Sequence, residues 1–390
     1  MQDHLKIQFF TDTFLPSVDG VVSSMLNFKQ ELEKRGHEVF IIASGDSRTK
    51  AAVKKNDRTI ILPSIKFKKY PQYNLAWMPL IASIKFGFSK FDITHLHTPF
   101  TVGMYGLLYA KLNKTPTVGS FHTLFTRSEV IKQYTTSNKV VQRFLIKSSW
   151  PYAKFFYGKC NGVIAPSTSI KNLLNRHSIG NSYVVPNSVD TKKFNPNVNG
   201  EKIRRKYLKS ERERLVLYVG RISVEKNIEV MLKAAKILKK KQIYRFLIAG
   251  TGPMLDYYKN MAAKYGLADI VHFSGFVDER ELPRYYAAAD VFCMPSTFET
   301  QGIVSLEAMA SGVPVVGADY LALREMIING KNGEKFAPRN GDDCAHKIEK
   351  VINNLGYYKK MVDTAKMYSV EKSTDKLLEV YKALLDKNGN

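Results

Sequence analysis

Phe298-Glu299-Thr300-Gln301-Gly302-Ile303-Val304-Ser305-Leu306-Glu307 sets two acids eight positions apart around a glycine. Taken alone, acids near a helix start simply complement the positive end of its dipole. Their setting adds more. Asp290-Val291-Phe292-Cys293-Met294-Pro295-Ser296 reads as a buried strand closed by proline. The stretch 303–310 reads as a helix, closed by Ser311-Gly312 before the strand Val313-Pro314-Val315-Val316. Glu299 then sits on the loop at a strand's C-terminal end, and Glu307 about a turn into the helix. Open α/β sheets bind ligands at that position. Carboxylates there accept from sugar hydroxyls, while the free amides of the helix start, at Gly302 and Ile303, hold an anion. Acids for hydroxyls and amides for phosphate describe a nucleotide-sugar site.

A second constellation supplies positive charge. Gly220-Arg221-Ile222-Ser223-Val224-Glu225-Lys226 follows the apolar run Leu215-Val216-Leu217-Tyr218-Val219. A glycine turn at a strand end, with Arg221 and Lys226 five apart, brings two cations onto one anion. The plain alternative is a solvated surface pair. Neutralising a leaving diphosphate is the chemistry such a pair would do. Gly250-Thr251-Gly252-Pro253 is not a dinucleotide loop, since Pro253 and Met254 break G-x-G-x-x-G and no ribose-binding acid follows about 20 residues on. A dehydrogenase fits poorly. His95 and His97 suggest a metal, yet two histidines make a poor ligand set. With no D-x-D in the chain, a dedicated protein-bound cation for the diphosphate is not expected. His122 follows the run Thr117-Val118-Gly119-Ser120 at a strand end. Gly20, leading into the first helix, would let backbone approach a ligand.

The elements that must position these residues fall into two series. Strand Ile7-Gln8-Phe9-Phe10, a helix from about Val21 to Arg35, and strand Val39-Phe40-Ile41-Ile42 form one βαβ unit. Further apolar runs follow at 59–62, 93–97, 117–120, 162–165 and 183–185. The pattern restarts at Leu215. Strands alternating with helices twice over predict an α/β chain of two doubly wound parallel sheets. The expected boundaries are a first domain at 1–190, a polar linker with a short helix at 191–213, a second domain at 214–365, and a terminal helix at 366–390 packing back on the first.

These segments resemble the retaining glycosyltransferases of the GT-B fold that carry an E-x7-E motif. The resemblance covers nearly the whole chain and implies two Rossmann-like domains facing a cleft. It implies that Glu299 touches the transferred sugar and Glu307 the ribose, and that Arg221 and Lys226, matching G-R-x-x-x-x-K, hold the donor diphosphate. It further implies that the backbone around Val277 meets the base, that Gly20 and His122 reach the donor, and that the H-x-H-x-P segment at 95–99 and the G-x-G-P turn are scaffold. Val185-Pro186-Asn187-Ser188-Val189-Asp190 with Phe194 matches P-N-G-V-D-x-x-x-F with Ser188 in place of glycine. Asp19-Gly20 stands where two glycines are usual. The branch most resembled is that of diacylglycerol glucosyltransferases and phosphatidylinositol mannosyltransferases. The function implied is transfer of a hexose, with glucose first, from a UDP-linked sugar to a lipid such as diacylglycerol. The alternatives are a soluble or phospholipid-inositol acceptor, or a nucleotide-sugar 2-epimerase.

Charge bears on the acceptor. The 390 residues hold 59 basic and 35 acidic side chains, net +24, and residues 1–195 carry 27 basic against 11 acidic. Such a field attracts an anionic membrane, nucleic acid or an anionic substrate. Nothing in the sequence matches a nucleic-acid recognition motif. In 63–90, Lys66, Lys68 and Lys69 interleave with aromatics beside Trp77, a composition suited to an anionic lipid surface. No run of 18 uncharged apolar residues is present. Three cysteines without C-x-x-C suit a reducing compartment. The expectation is a cytoplasmic protein, peripheral on the inner face of the membrane, with no resident cofactor.

Overall fold

Both series of apolar runs become parallel sheets in the computed structural model, which describes residues 4–17, 19–53, 58–66, 74–77 and 90–388. The chain divides into two units. Unit 1 is Met1–Asn187 with Val370–Asn390, and unit 2 is Ser188–Ser369.

Unit 1 is built on β1 (Lys6–Thr11), β2 (Glu38–Gly45), β3 (Thr59–Lys66), β4 (Asn74–Ala76), β5 (Ile93–Leu96), β6 (Thr117–Ser120), β7 (Gly162–Ala165) and β8 (Ser182–Val184). Their order is β4-β3-β2-β1-β5-β6-β7-β8. All pairs are parallel except β3 with β4. Ile7, Phe9 and Ile93 are fully buried because helices cover both faces of such a sheet. The helix Gly20–Lys34 begins at Asp19, whose carboxylate accepts from the amides of Val21 and Val22 at 2.9 Å each. Its Met25, Phe28 and Leu32 recur at helical spacing on the core face. The terminal helix Val370–Asn388 buries Leu377, Val380, Tyr381 and Leu384 in that same core. Arg35 fastens it, donating to Asp375 Oδ1 (2.6 Å) and to the carbonyl of Glu371 (3.1 Å).

Unit 2 carries β9 (Arg214–Val219), β10 (Tyr244–Ala249), β11 (Val271–Gly275), β12 (Val291–Met294), β13 (Val315–Ala318) and β14 (Gly333–Phe336), in the all-parallel order β11-β10-β9-β12-β13-β14. The strand order reverses between β9 and β12. A crevice opens outside the carboxyl ends at such a switch, and the two sequence constellations leave from those two strands.

Three sequence expectations change. Segment 191–213 is not a linker but part of unit 2. Its helix Glu201–Tyr207 buries Ile203, and Arg204 donates to the Ala288 carbonyl (2.8 Å) and Asp290 (3.1 Å). Phe194 is buried in the same core and Tyr207 and Leu208 pack against it, so scattered apolar anchors dock a segment whose overall composition is polar. The second boundary falls at 369/370, where the terminal helix begins. The strand expected from Val313 starts at Val315, since Pro314 has no amide to give the ladder. The short strands β4 and β14 carry too few residues for a periodic signal. Cys160, Cys293 and Cys344 are free, the last two with sulfurs 3.8 Å apart. Among the described residues, no helix is long and apolar enough to cross a membrane.

Candidate active site

In unit 2 the cations and acids meet. Gly220 leaves β9 at φ +150, and Gly250 leaves β10 at φ +143. The two backbones run so close that a Cβ on Gly250 would lie 1.9 Å from the Gly220 carbonyl oxygen, and one on Gly252 would lie 2.2 Å from that of Ile222. Amide bonds zip them together: Gly220 to the Ala249 carbonyl (3.0 Å) and Ile222 to that of Thr251 (2.9 Å). This close approach is the physical reason for the glycines of the G-x-G-P turn. It fixes the half-buried Arg221, whose carbonyl also accepts from Tyr218 Oη (2.9 Å).

The chain then makes one 3-10 turn, Val224–Lys226, ended by Asn227 in the left-handed region at φ 50. Asn227 donates to Thr297 Oγ1 (2.9 Å), pinning this turn to the loop after β12. Lys226 Nζ thereby comes to 2.6 Å from Glu299 Oε1, with both side chains largely buried. Residues 73 positions apart form one charge-assisted contact. Gly302 opens the helix Ile303–Ala310 at φ +83, and a Cβ there would press on Leu323 at 3.1 Å. Glu307, one turn in, accepts from Tyr286 Oη at 2.7 Å. Burial pushes its carboxyl up to about 7, against the pull of that hydroxyl. Val277 is half-buried beyond β11, next to an exposed Phe276.

Unit 1 places its candidates at the ends of β1, β5 and β6. His95 is fully buried, with its ring nitrogens 2.6 Å from Tyr381 Oη and 2.7 Å from Ser120 Oγ. His97 stacks on it, ring centroids 4.1 Å apart, and its Nδ1 lies 3.2 Å from Nε2 of His122. Burial lowers the pKa of all three, His122 to about 4, with Asn187 pulling the other way by a hydrogen bond. They are neutral imidazoles at pH 7. The rings stack rather than converge, and among the described residues no group of three or more His, Cys, Asp or Glu is placed to hold a metal. Gly20 is exposed at the start of its helix, and the next two amides are taken by Asp19. Of the expected lipid-facing residues, Trp77 is 63% exposed and Lys66 closes β3, while Lys68 and Lys69 lie outside the described residues.

Several contributors escaped the sequence reading. Tyr286 and Asn227 act on the site from 21 and 70 positions away, while Asn187, inside the P-N-S-V-D segment, hydrogen-bonds His122, a role its motif did not announce. The helix Lys139–Tyr157 carries a signal legible in the sequence. Val140, Val141 and Phe144 alternate with Lys139, Arg143 and Lys147, and all six are exposed.

Residues 199–368 match the model for glycosyl transferases group 1, and residues 18–193 the model for glycosyltransferase family 4. The chain is 33% identical over 327 residues to an alpha-monoglucosyldiacylglycerol synthase of Streptococcus pneumoniae, covering 81% of this chain and 72% of that one. It is 29% identical to a synthase of the same name from Acholeplasma laidlawii, over 98% of each. Among solved structures, a sucrose-phosphate synthase of Thermosynechococcus elongatus superposes with a TM-score of 0.78 at 20% identity, covering 98% of this chain and all of the other. HepE of Anabaena, solved with UDP and glucose, gives 0.75 at 19% over 97% of this chain and all of its own. Likeness at that level shows the shared two-domain GT-B fold.

Proposed function

The chain belongs to the group 1 glycosyl transferases, and from that premise we propose that it moves glucose from UDP-glucose to a diacylglycerol-type lipid with retention at the anomeric carbon. The observation that carries this reading is the contact between Lys226 and Glu299, which leave β9 and β12 at the switch point of unit 2. Glucosyl and diacylglycerol come from the names of the two synthases it resembles along most of its length.

Arg221 and Lys226 hold the diphosphate and stabilise the charge it gains on leaving. Glu307 and the base-side backbone at Val277 bind the nucleoside, and the amides of Gly302 and Ile303 face the sugar phosphate end. Glu299 is neutralised by Lys226, which makes it a poor nucleophile and suits it to stabilising the oxocarbenium-like sugar. The leaving phosphate oxygen then takes the acceptor's proton on the same face. His122, neutral throughout, serves as a hydrogen-bonding partner to the donor sugar rather than as a cation. The site calls for no resident cofactor. The protein works at an anionic membrane surface through the basic residues of unit 1. The test is a panel of nucleotide sugars against diacylglycerol in vesicles and against soluble acceptors, with mass detection and NMR of the anomer. Transfer only to soluble acceptors, a β-linked product, or epimerisation without transfer would each sink the reading.

A further inference from the structure

Unit 1 contains a cavity of 320 Å³ at the carboxyl ends of β5 and β6. That volume lies in the range of small-molecule pockets. Protein interiors otherwise pack to crystal density, so a hole of this size is an invitation to an occupant. Its polar lining comes from the sheet, as His97, Thr98 and His122. Two helices, Ser128–Tyr134 and Lys139–Tyr157, supply much of the remaining wall, with Val130, Ile131 and Leu145 foremost, and the hydroxyls they bring at Ser148, Ser149 and Tyr152 already donate to the carbonyls of Phe144, Ile146 and Pro99.

A sugar acceptor does not fit such walls. Its hydroxyls would leave water and find almost no partners. An alkyl chain fits, because it asks only for apolar surface. The helix Lys139–Tyr157 shows where that chain would come from. Leu145, Ser148, Ser149 and Tyr152, at helical spacing, face the cavity. The opposite face exposes Val140 (74%) and Phe144 (70%) beside Lys139, Arg143 and Lys147, the mixture that attracts an anionic lipid surface. One helix thus turns a lipid-compatible face outward and walls an apolar cavity inward. At the sheet side, His97 is 1% exposed, and its Nε2 has no hydrogen-bond partner among the described residues.

We propose that this cavity binds an alkyl chain of the acceptor lipid, with the lipid's hydroxyl end beside His97 and His122. The proposal rests on the lipid-acceptor reading above and names the subsite that reading lacks.

The chain has two tryptophans, and Trp150 adjoins Ser149 on the cavity wall. In a Trp77→Phe background, monoacylglycerols brominated at the chain end, below their micelle concentration, should quench Trp150 saturably. Affinity should rise by up to about fourfold per added methylene until the cavity is full. Filling it with Ile131→Phe and Leu145→Phe should abolish quenching, while thermal unfolding of the whole chain followed by circular dichroism matches wild type and shows unit 1 folded, and UDP affinity in unit 2 stays unchanged. Leu145→Ala, which enlarges the cavity, should move the plateau to longer chains. Non-saturable quenching, a flat chain-length profile, or equal quenching in the filled variant would overturn the proposal. Transfer to lipid is measured separately. If wild type glucosylates lipid and the filled variant keeps the same chain-length dependence, the cavity assignment fails and the lipid reading survives. If the brominated chain binds but no lipid is glucosylated, the lipid-acceptor reading falls and the alkyl subsite stands.

Discussion

In unit 2 the residues that matter leave two adjacent strand ends and touch within a few positions of them. In unit 1 they are spread over three strand ends and two helices, and most are carbon. Polar recognition needs atoms at fixed distances, so it is written in glycines that allow close backbone approach and in charges at set spacings. Apolar recognition needs only volume and surface, which many sequences supply. The proposed donor side is therefore legible as motif and the proposed acceptor side only as architecture.

The strongest way to break this contrast is to remove the cations of unit 2. Arg221→Ala and Lys226→Ala should each lower kcat/KM by about 10²–10³-fold, as loss of one preorganised transition-state donor does. The Lys226 variant also leaves Glu299, 11% exposed, without its cation. Steady-state kinetics with UDP-glucose decides it. Near-normal turnover in both would mean that the motif marks a structural turn.

On the unit 1 side the corresponding experiment is diffuse, since each basic residue near an anionic bilayer adds only about 1 kcal/mol. Replacing Lys66, Lys68 and Lys69 by Ala should weaken partition to anionic vesicles about a hundredfold at low salt, less at high salt, with UDP binding unchanged. The parallel triple at Lys139, Arg143 and Lys147 tells which basic segment meets lipid. Sedimentation with neutral and anionic vesicles reads both. Indifference to anionic lipid in wild type would remove the membrane from the account.

The limits of the sequence follow the same physics. Glu299, Lys226 and Arg221 were readable because each lies just past a strand end whose apolar run is itself readable, and Glu307 because it sits one turn into the helix that follows such an end. That Lys226 would touch Glu299 was not, for it depends on Asn227 tying its turn to Thr297 across 70 positions. The docking of 191–213 was hidden because its buried anchors, Phe194 and Ile203, are isolated among charges and form no periodic run. The cavity was invisible because its lining is drawn from separate elements, none unusual in composition.

Within unit 2 the two acids should separate. Ribose hydroxyls persist through the reaction, so Glu307→Ala should weaken UDP binding by about 10–100-fold, the cost of leaving buried polar groups unmatched. Glu299→Ala should spare UDP affinity and lower kcat, since in the proposed mechanism it meets the sugar whose charge changes. Calorimetry with UDP and steady-state kinetics give the two numbers. Equal losses of nucleotide affinity would merge their roles.

The smallest effect sharpens the contrast most, because the two units exchange their usual titrations. The carboxyl of Glu307 is raised to about 7 by burial, and the imidazole of His122 is lowered to about 4 by the same cause. Between pH 5 and 8 the group that changes charge is therefore the glutamate of unit 2, while His122 stays neutral. Below 7 Glu307 is protonated and offers the ribose fewer acceptor sites. UDP affinity should thus rise with pH, by at most about tenfold per unit, and level off above 7. The diphosphate titrates nearby as well, so Glu307→Gln supplies the reference, keeping the ligand's slope and losing the protein's. Stability runs the opposite way. A carboxyl whose folded pKa is raised contributes stability that is complete below the unfolded value of 4.5 and lost as pH climbs through 7. The unliganded wild type should lose more stability than Glu307→Gln over that window, even as its affinity for UDP improves. Calorimetric titrations and thermal unfolding at matched pH read the two trends. Parallel profiles for wild type and the Gln variant in both would show that Glu307 does not titrate there, and that unit 2 owes its donor affinity to the cations alone.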